Sequence, residues 1–187
     1  MLVSITLLQY EHGIIRQVID CLKVILENGL PVKHNDSTMD ILEFLNDYMD
    51  RFHHQKEERF VFPSAFTNSG ELETITNNLL NDHEKARALL SRMNASVDKG
   101  SIIEMEEFIE AGLDLVKHVT DHITQEEDVA FPLFEEVISI EDDGTIAEKF
   151  QDFVLMEFNE EYPRVSEEKA FRIENQVLGP GYYQGIV

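Results

Sequence analysis

Two segments of the 187-residue chain repeat one arrangement of groups capable of metal chemistry. His53 and Glu57 stand ahead of Phe62-Pro63, and His122 and Glu126 stand ahead of Phe131-Pro132, each written His-x-x-x-Glu-Glu. A further histidine lies upstream of each copy at a similar interval, His12 after Glu11 and His83 after Asp82. Imidazole nitrogens and carboxylate oxygens are the donors that hold divalent transition metals. A unit of His followed by His and Glu, present twice, supplies what two adjacent ions require. One histidine on an apolar helix face is ordinarily a hydrogen-bonded core residue, and one His-x-x-x-Glu pair is ordinarily a solvated helical contact. The conjunction of six such residues in two copies is what favours ligation.

The elements that must position these groups read as helices, because apolar residues recur at steps of three and four and no long strand-type alternation occurs. The first stripe is Ile5, Leu8, His12, Ile15, Ile19, Leu22 and Leu26, stopped by Asn28-Gly29-Leu30-Pro31. The second starts at an expected cap in Asn35-Asp36-Ser37 and carries Leu42, Leu45, Met49, Phe52, His53, Glu57 and Phe60, with Pro63 ending or kinking it. After a Ser69-Gly70 turn, the third carries Leu72, Leu79, His83, Ala86, Leu90, Met93 and Val97 and closes on Lys99-Gly100. The fourth opens at Ser101, with Glu104 completing an expected capping box, and carries Phe108, Gly112, Leu115, Val119, His122, Glu126, Val129 and Leu133. Short connections between long helices favour antiparallel neighbours. The expected fold is therefore all-α: an antiparallel up-down-up-down four-helix bundle over residues 1–140, followed by a short C-terminal helix and tail over 141–187.

In such a bundle the helical rise of about 1.5 Å per residue sets His12 nearly level with His53, and His83 level with His122 to within about a turn. The i, i+4 spacing puts Glu57 and Glu126 one turn beyond their histidines on the same face. Burying two glutamates without cations disfavours their charged forms by several kcal/mol, a cost that a nearby pair of metal ions removes. Ligands without thiolates suit iron, manganese or zinc better than copper or clusters. The i, i+4 order differs from the Glu-x-x-His of ferritin-like carboxylate proteins, and His-Glu-x-x-His, the zinc protease signature, is absent.

Glu11-His12, Phe52-His53-His54-Gln55-Lys56-Glu57-Glu58 with Phe62-Pro63, Asp82-His83 and His122 through Pro132 together resemble the hemerythrin-like, His-His-Glu cation-binding family, over roughly residues 2–158. The resemblance implies a four-helix bundle around two non-haem iron ions joined by an oxo or hydroxo bridge. His12, His53, His83 and His122 would be terminal ligands, with Glu57 and Glu126 bridging. It implies a protein that binds, senses or stores a small partner such as dioxygen, nitric oxide or peroxide. Two alternatives stay open: a di-iron oxidoreductase detoxifying the same molecules, and a bundle with a structural zinc or manganese site.

Other residues bound this reading. His118, one turn before His122, is a candidate seventh ligand, since oxygen-carrying hemerythrins use an extra histidine that makes the two irons unequal; the alternative places it on the bundle flank. His54 and Glu58 repeat the i, i+4 relation one residue out of phase, and His54 is expected about 100° round the helix in an outer or exposed role. His34 is expected in a solvated loop and Cys21 as a packing residue. Glu141-Asp142-Asp143-Gly144 is expected as a turn and 145–160 as a fifth helix. From 161 to Tyr182-Tyr183 and beyond, no helical period is evident. Fifteen Lys and Arg against 37 Asp and Glu, a formal charge of -22, argue against nucleic-acid or anionic-membrane partners. The apolar run at Met1–Leu8 is too short for a signal peptide or a spanning helix, and a single Cys forms no internal disulfide, so a cytoplasmic location is expected.

Overall fold

The computed structural model describes residues 1–29, 31–65 and 70–180, and it is all-helical apart from one two-residue ladder. Helix α1 is Val3–Glu27 and α3 is Gly70–Ala95. Helix α2, residues 35–65, begins as Asn35–Phe44, winds as π-helix over Leu45–His54 and again over Glu57–Val61, and ends in Phe62–Ala65. Helix α4, residues 105–137, has the same plan: Met105–Gln125, a π segment Glu126–Ala130, then Phe131–Val137. Helices α5, Ile140–Glu157, and α6, Tyr162–Val177, complete the chain.

Both π turns directly precede a Phe-Pro step. Proline in a regular helix clashes with the carbonyl four residues back and lacks a hydrogen to donate; a widened turn ahead of it relieves the clash, so each helix runs on past its proline. Pro63 and Pro132 therefore neither end nor break their helices. The extra residue per turn also rotates the apolar phase. Val61 and Ala130 are buried, whereas the expected stripe residue Val129 is 46% exposed and Phe60 only half-buried.

Partners along the long helices are ordered in opposite senses. The Leu2 amide donates to Glu135 while Leu26 lies against Gly112, so α1 and α4 meet with one numbering rising as the other falls. Arg92 reaches Glu107 and His83 reaches His122 between α3 and α4; Asn94 reaches Asn46 and His83 reaches Glu58 between α3 and α2. The interior divides into two apolar clusters. One contains Leu8, Phe62, Leu79, Phe131 and Phe134, the other Ile15, Leu22, Phe52, Leu90 and Leu115. Between them lies a buried polar layer contributed by α1 to α4.

Several expected boundaries are corrected. His34, not the Asn35-Asp36-Ser37 group, precedes the first turn of α2, and no side chain there caps it. Lys99 and Gly100 are not a helix end: with φ of 49° and 74° they form the turn of a hairpin pairing Val97–Asp98 with Ser101–Ile102. Paired positive φ values match the right-handed strand twist. Ser101 is thereby committed to a strand and cannot cap α4, where Glu104 occupies the cap position without a side-chain bond. The Gly29 stop of α1 holds, with φ of 64°; Leu30 lies outside the described residues, as does Ser69, and Gly70 is the first residue of α3.

The largest correction is C-terminal. Residues 141–144 are the first turn of α5, because Ser139 caps it by accepting from the Asp142 amide at 3.1 Å. Asp143 then bonds the Val3 and Ser4 amides and the Ser4 hydroxyl at 2.6–3.0 Å, satisfying the exposed donors at the start of α1 from another helix. Residues 162–177, expected without helical period, form α6, which packs on α1 and α2. Tyr48 and Phe52 of α2 pack against Phe158 and Tyr162 at ring separations of 5.2–6.5 Å. Its stripe escapes local reading because α6 buries only Ser166, Ala170, Ile173 and Glu174, a mixed face. Tyr182 and Tyr183 lie outside the described residues. No described helix is long and apolar enough to cross a membrane.

Candidate metal centre

The polar layer brings together His12 of α1, His53 and Glu57 of α2, His83 of α3, and His122 and Glu126 of α4, none more than 4% exposed. Their ligand atoms fall into two groups of four. His12 and His53 form one with both glutamates; His83 and His122 form the other with the same two glutamates. Each carboxylate spans the groups. Glu57 turns Oε1 to His12 and His53, at 3.9 and 3.5 Å, and Oε2 to His83, at 3.4 Å. Glu126 turns Oε2 to His12, at 3.2 Å, and Oε1 to His122 and His83, at 3.4 and 4.0 Å.

The outer edges of the rings explain why these inner nitrogens converge. His12 Nδ1 lies 2.9 Å from Glu127, His53 Nδ1 3.0 Å from Glu11, and His83 Nδ1 2.7 Å from Glu58. A carboxylate fixes the proton on Nδ1, leaving the Nε2 lone pair facing inward, as metal-ligating histidines are ordinarily held. Each of these acids is backed by a cation: Arg16 on Glu127, Lys56 on Glu11 and Arg87 on Glu58. The doublets Glu57-Glu58 and Glu126-Glu127 thus split their work, the first glutamate facing the layer and the second reaching a histidine of a neighbouring helix. From the sequence, Glu58 is singled out only as a repeat of the i, i+4 relation, and neither Glu127 nor Lys56, which is buried over the Phe52 ring at 3.9 Å, is singled out; adjacent acids are the available signal. His122 Nδ1 has no hydrogen-bond partner among the described residues.

Electrostatics fit cation binding. Burial holds His53 and His83 well below the usual imidazole range, and burial brings His122 down to about 4, so these rings are neutral near pH 7. Burial pushes the Glu57 carboxyl well up, reinforced by the charge of Glu126. Burial opposes the ionised form of Glu126 as well, but His122 and His12 more than offset it and hold that group below its ordinary value. His12 moves upward despite burial, through Glu126 and Glu127. Glu127, half-buried, is brought down to about 2 against its own desolvation by His12 and Arg16.

Among the described residues, all four carboxylate oxygens of Glu57 and Glu126 are buried without a hydrogen-bond partner, and so is His12 Nε2. Buried acceptors facing buried acceptors are costly unless something positive lies between them. The residues present therefore fit bound cations.

Of the remaining histidines, His118 takes the flank alternative and His54 departs from its expected place. His118 does not join the layer: its Nε2 lies 2.7 Å from the Asp82 carbonyl oxygen, on the half-exposed flank between α3 and α4. His54 is not exposed. It is 2% accessible and stacks on His83, with centroids 3.9 Å apart. His34 lies half-buried at the start of α2, away from the layer, and Cys21 is a buried packing residue whose thiol burial pushes up to about 12.

Comparison with known proteins agrees with this geometry. The model of the hemerythrin HHE cation-binding domain matches residues 3–134. Similar curated sequences include the uncharacterized proteins Mb2018 of Mycobacterium bovis and Rv1995 of Mycobacterium tuberculosis. Each is 27% identical over 163 residues, covering 82% of this chain and 62% of the relative. The chain thus spans about three fifths of the length of the relatives it matches. No solved structure matches. With the family model covering α1 through most of α4 and the paired His and Glu clusters buried between them, the chain belongs to the hemerythrin HHE cation-binding domain family.

Proposed function

We propose that this protein is a non-haem di-iron protein that binds a small ligand such as dioxygen, nitric oxide or peroxide. The carrying observation is that Glu57 and Glu126 each direct opposite oxygens at histidines belonging to two different pairs. In this reading α1 to α4 form an up-down-up-down bundle, with α5 and α6 packed outside it. His12 and His53 would hold one ion and His83 and His122 the other, with the two glutamates shared. When bound, a ferrous pair supplies electrons and coordination positions open to a diatomic molecule or peroxide.

The protein's own residues supply the rest. Neutral imidazoles at His53, His83 and His122 need no deprotonation to donate a lone pair, whereas Glu57 must release its proton as cations enter. Glu11, Glu58 and Glu127 keep the rings aimed. Apolar clusters above and below the layer, with Phe131 stacked on His12 at 5.5 Å and Phe62 on His83 at 5.7 Å, exclude bulk water and favour a small, weakly polar guest. Metal analysis of protein purified without chelator tests the proposal: close to two irons per chain is expected, and about one zinc or manganese overturns it. Anaerobic reduction followed by oxygen exposure then separates a carrier, whose spectrum reverts when gas is removed, from an oxidoreductase that consumes reductant steadily.

A further inference from the structure

We infer that His54 is a metal ligand of this centre, a third nitrogen for the ion held by His83 and His122, so that the two ions have unequal surroundings. This rests on the two-ion reading above and adds a residue to it.

A ligand atom of His54 groups with those of His83 and His122, all within 4.8 Å of one another, which is the spacing one ion needs to be shared by three donors. The ring is wholly interior at 2% accessibility, its plane 10° from that of His83 and its centroid 5.8 Å from that of His122. An imidazole packed against two others in a layer of acceptors has nothing to gain there unless a cation joins them.

Its outer edge follows the same pattern as the other rings. His54 Nδ1 faces Asp50 at 3.6 Å, one helical turn back, and Asp50 is held by Arg87 at 2.7 Å. Acid and backing cation repeat the arrangement of Glu58 behind His83, with Arg87 serving both. At 3.6 Å Nδ1 is not hydrogen-bonded, so the ring retains play that ligation would take up. Two successive histidines reach the interior together because Leu45–His54 is wound as π-helix, which sets His53 against His12 of α1 and His54 against His83 of α3. His118, the sequence-based candidate for an extra nitrogen, is occupied with the Asp82 carbonyl.

Unequal surroundings follow. One ion would have two histidines, His12 and His53, and the other three. With both glutamates shared, the two-histidine ion has the more open coordination, and a small guest would bind beside His12, under Phe131.

The test loads apo-protein anaerobically with ferrous iron enriched for Mössbauer spectroscopy and compares wild type, H54A, H54Q and H118A, with circular dichroism of each apo-protein as the folding control. Wild type and H118A should take up two irons and show two quadrupole doublets of equal area. H54A and H54Q should bind one of the two irons at least about tenfold more weakly, the loss expected even for a group that only supports a ligand, and one doublet should shift while the other stays. Added imidazole should restore that doublet in H54A and not in H54Q, where the cavity is filled. Wild type with two irons and H54 variants unchanged in doublets and affinity would overturn the His54 assignment alone; wild type taking up fewer than two irons would overturn the two-ion reading and this inference with it.

Discussion

Replacing Glu57 by glutamine separates what this residue does for metal from what it does to the empty fold, and the two effects have opposite signs. In the metal-free protein Glu57 is buried, neither oxygen has a hydrogen-bond partner among the described residues, and its carboxyl is raised well above the ordinary 4.5. A group with a raised folded value costs nothing below 4.5 and costs more as pH rises toward that folded value. If it remains protonated at pH 7, the fold forgoes an ionisation available to the unfolded chain, worth about 1.4 kcal/mol per pH unit and so at most about 3 kcal/mol. Glutamine carries no such penalty, and its amide can donate toward the Nε2 of His53 or His83. Metal-free E57Q should therefore be more stable than wild type at pH 7 by about 1–3 kcal/mol, which for a chain of this size raises the melting temperature by roughly 2–12 °C. The gap should close as pH is lowered toward 4.5. With iron the order reverses, since the variant loses a shared donor and with it the stabilisation by bound metal, about 4 kcal/mol at a thousandfold excess over Kd. Calorimetry of both proteins with and without ferrous iron, at pH 7 and 5, reads all four states. An E57Q protein that is less stable than wild type when metal-free, or that retains two tightly bound irons, refutes the reasoning.

The second glutamates should matter through the rings they aim: E58A and E127A are expected to weaken iron binding about 10- to 100-fold in competition with a chromogenic chelator while stoichiometry is retained at excess iron, and unchanged affinity would remove them from the site. D143A deletes three hydrogen bonds at the start of α1 and should cost about 1.5–3 kcal/mol in urea unfolding at pH 7. Because Ser4 and Val3 hold the Asp143 carboxyl below its ordinary 3.8 despite burial, the wild-type advantage exists above that pH and should fade as pH falls through the depressed value. At Gly112 α4 packs tightly on Leu26 of α1: a Cβ there would lie 2.6 Å from a Leu26 methyl, so G112V should lower stability by about 1–3 kcal/mol, read as a lower urea midpoint at unchanged slope.

Much of the layer was legible from local rules. His53–Glu57 and His122–Glu126 are i, i+4 neighbours on amphipathic stripes, and the structure buries all four with His12 and His83. What was not legible depended on departures from regular winding. A stripe projected at 3.6 residues per turn places Val129 inside and His54 outside; the π turns rotate both the other way. Ser101 and Glu104 match a capping box in isolation, but the positive φ values of Lys99 and Gly100 divert that stretch into a hairpin.

Taken alone, the sequence determined that the chain is helical, where four of its helices carry their apolar faces, and that two repeated His and Glu sets share one level, because backbone period and ligand spacing are properties of neighbouring residues. Only the tertiary structure decided which carboxylate oxygen faces which pair of rings, that Glu11, Glu58 and Glu127 aim those rings from other helices, that Asp143 satisfies the amides of α1, and that α6 covers α2. Each of those depends on groups far apart in the chain whose distances are set by helix packing, where a single extra residue in a turn is enough to exchange an inward side chain for an outward one.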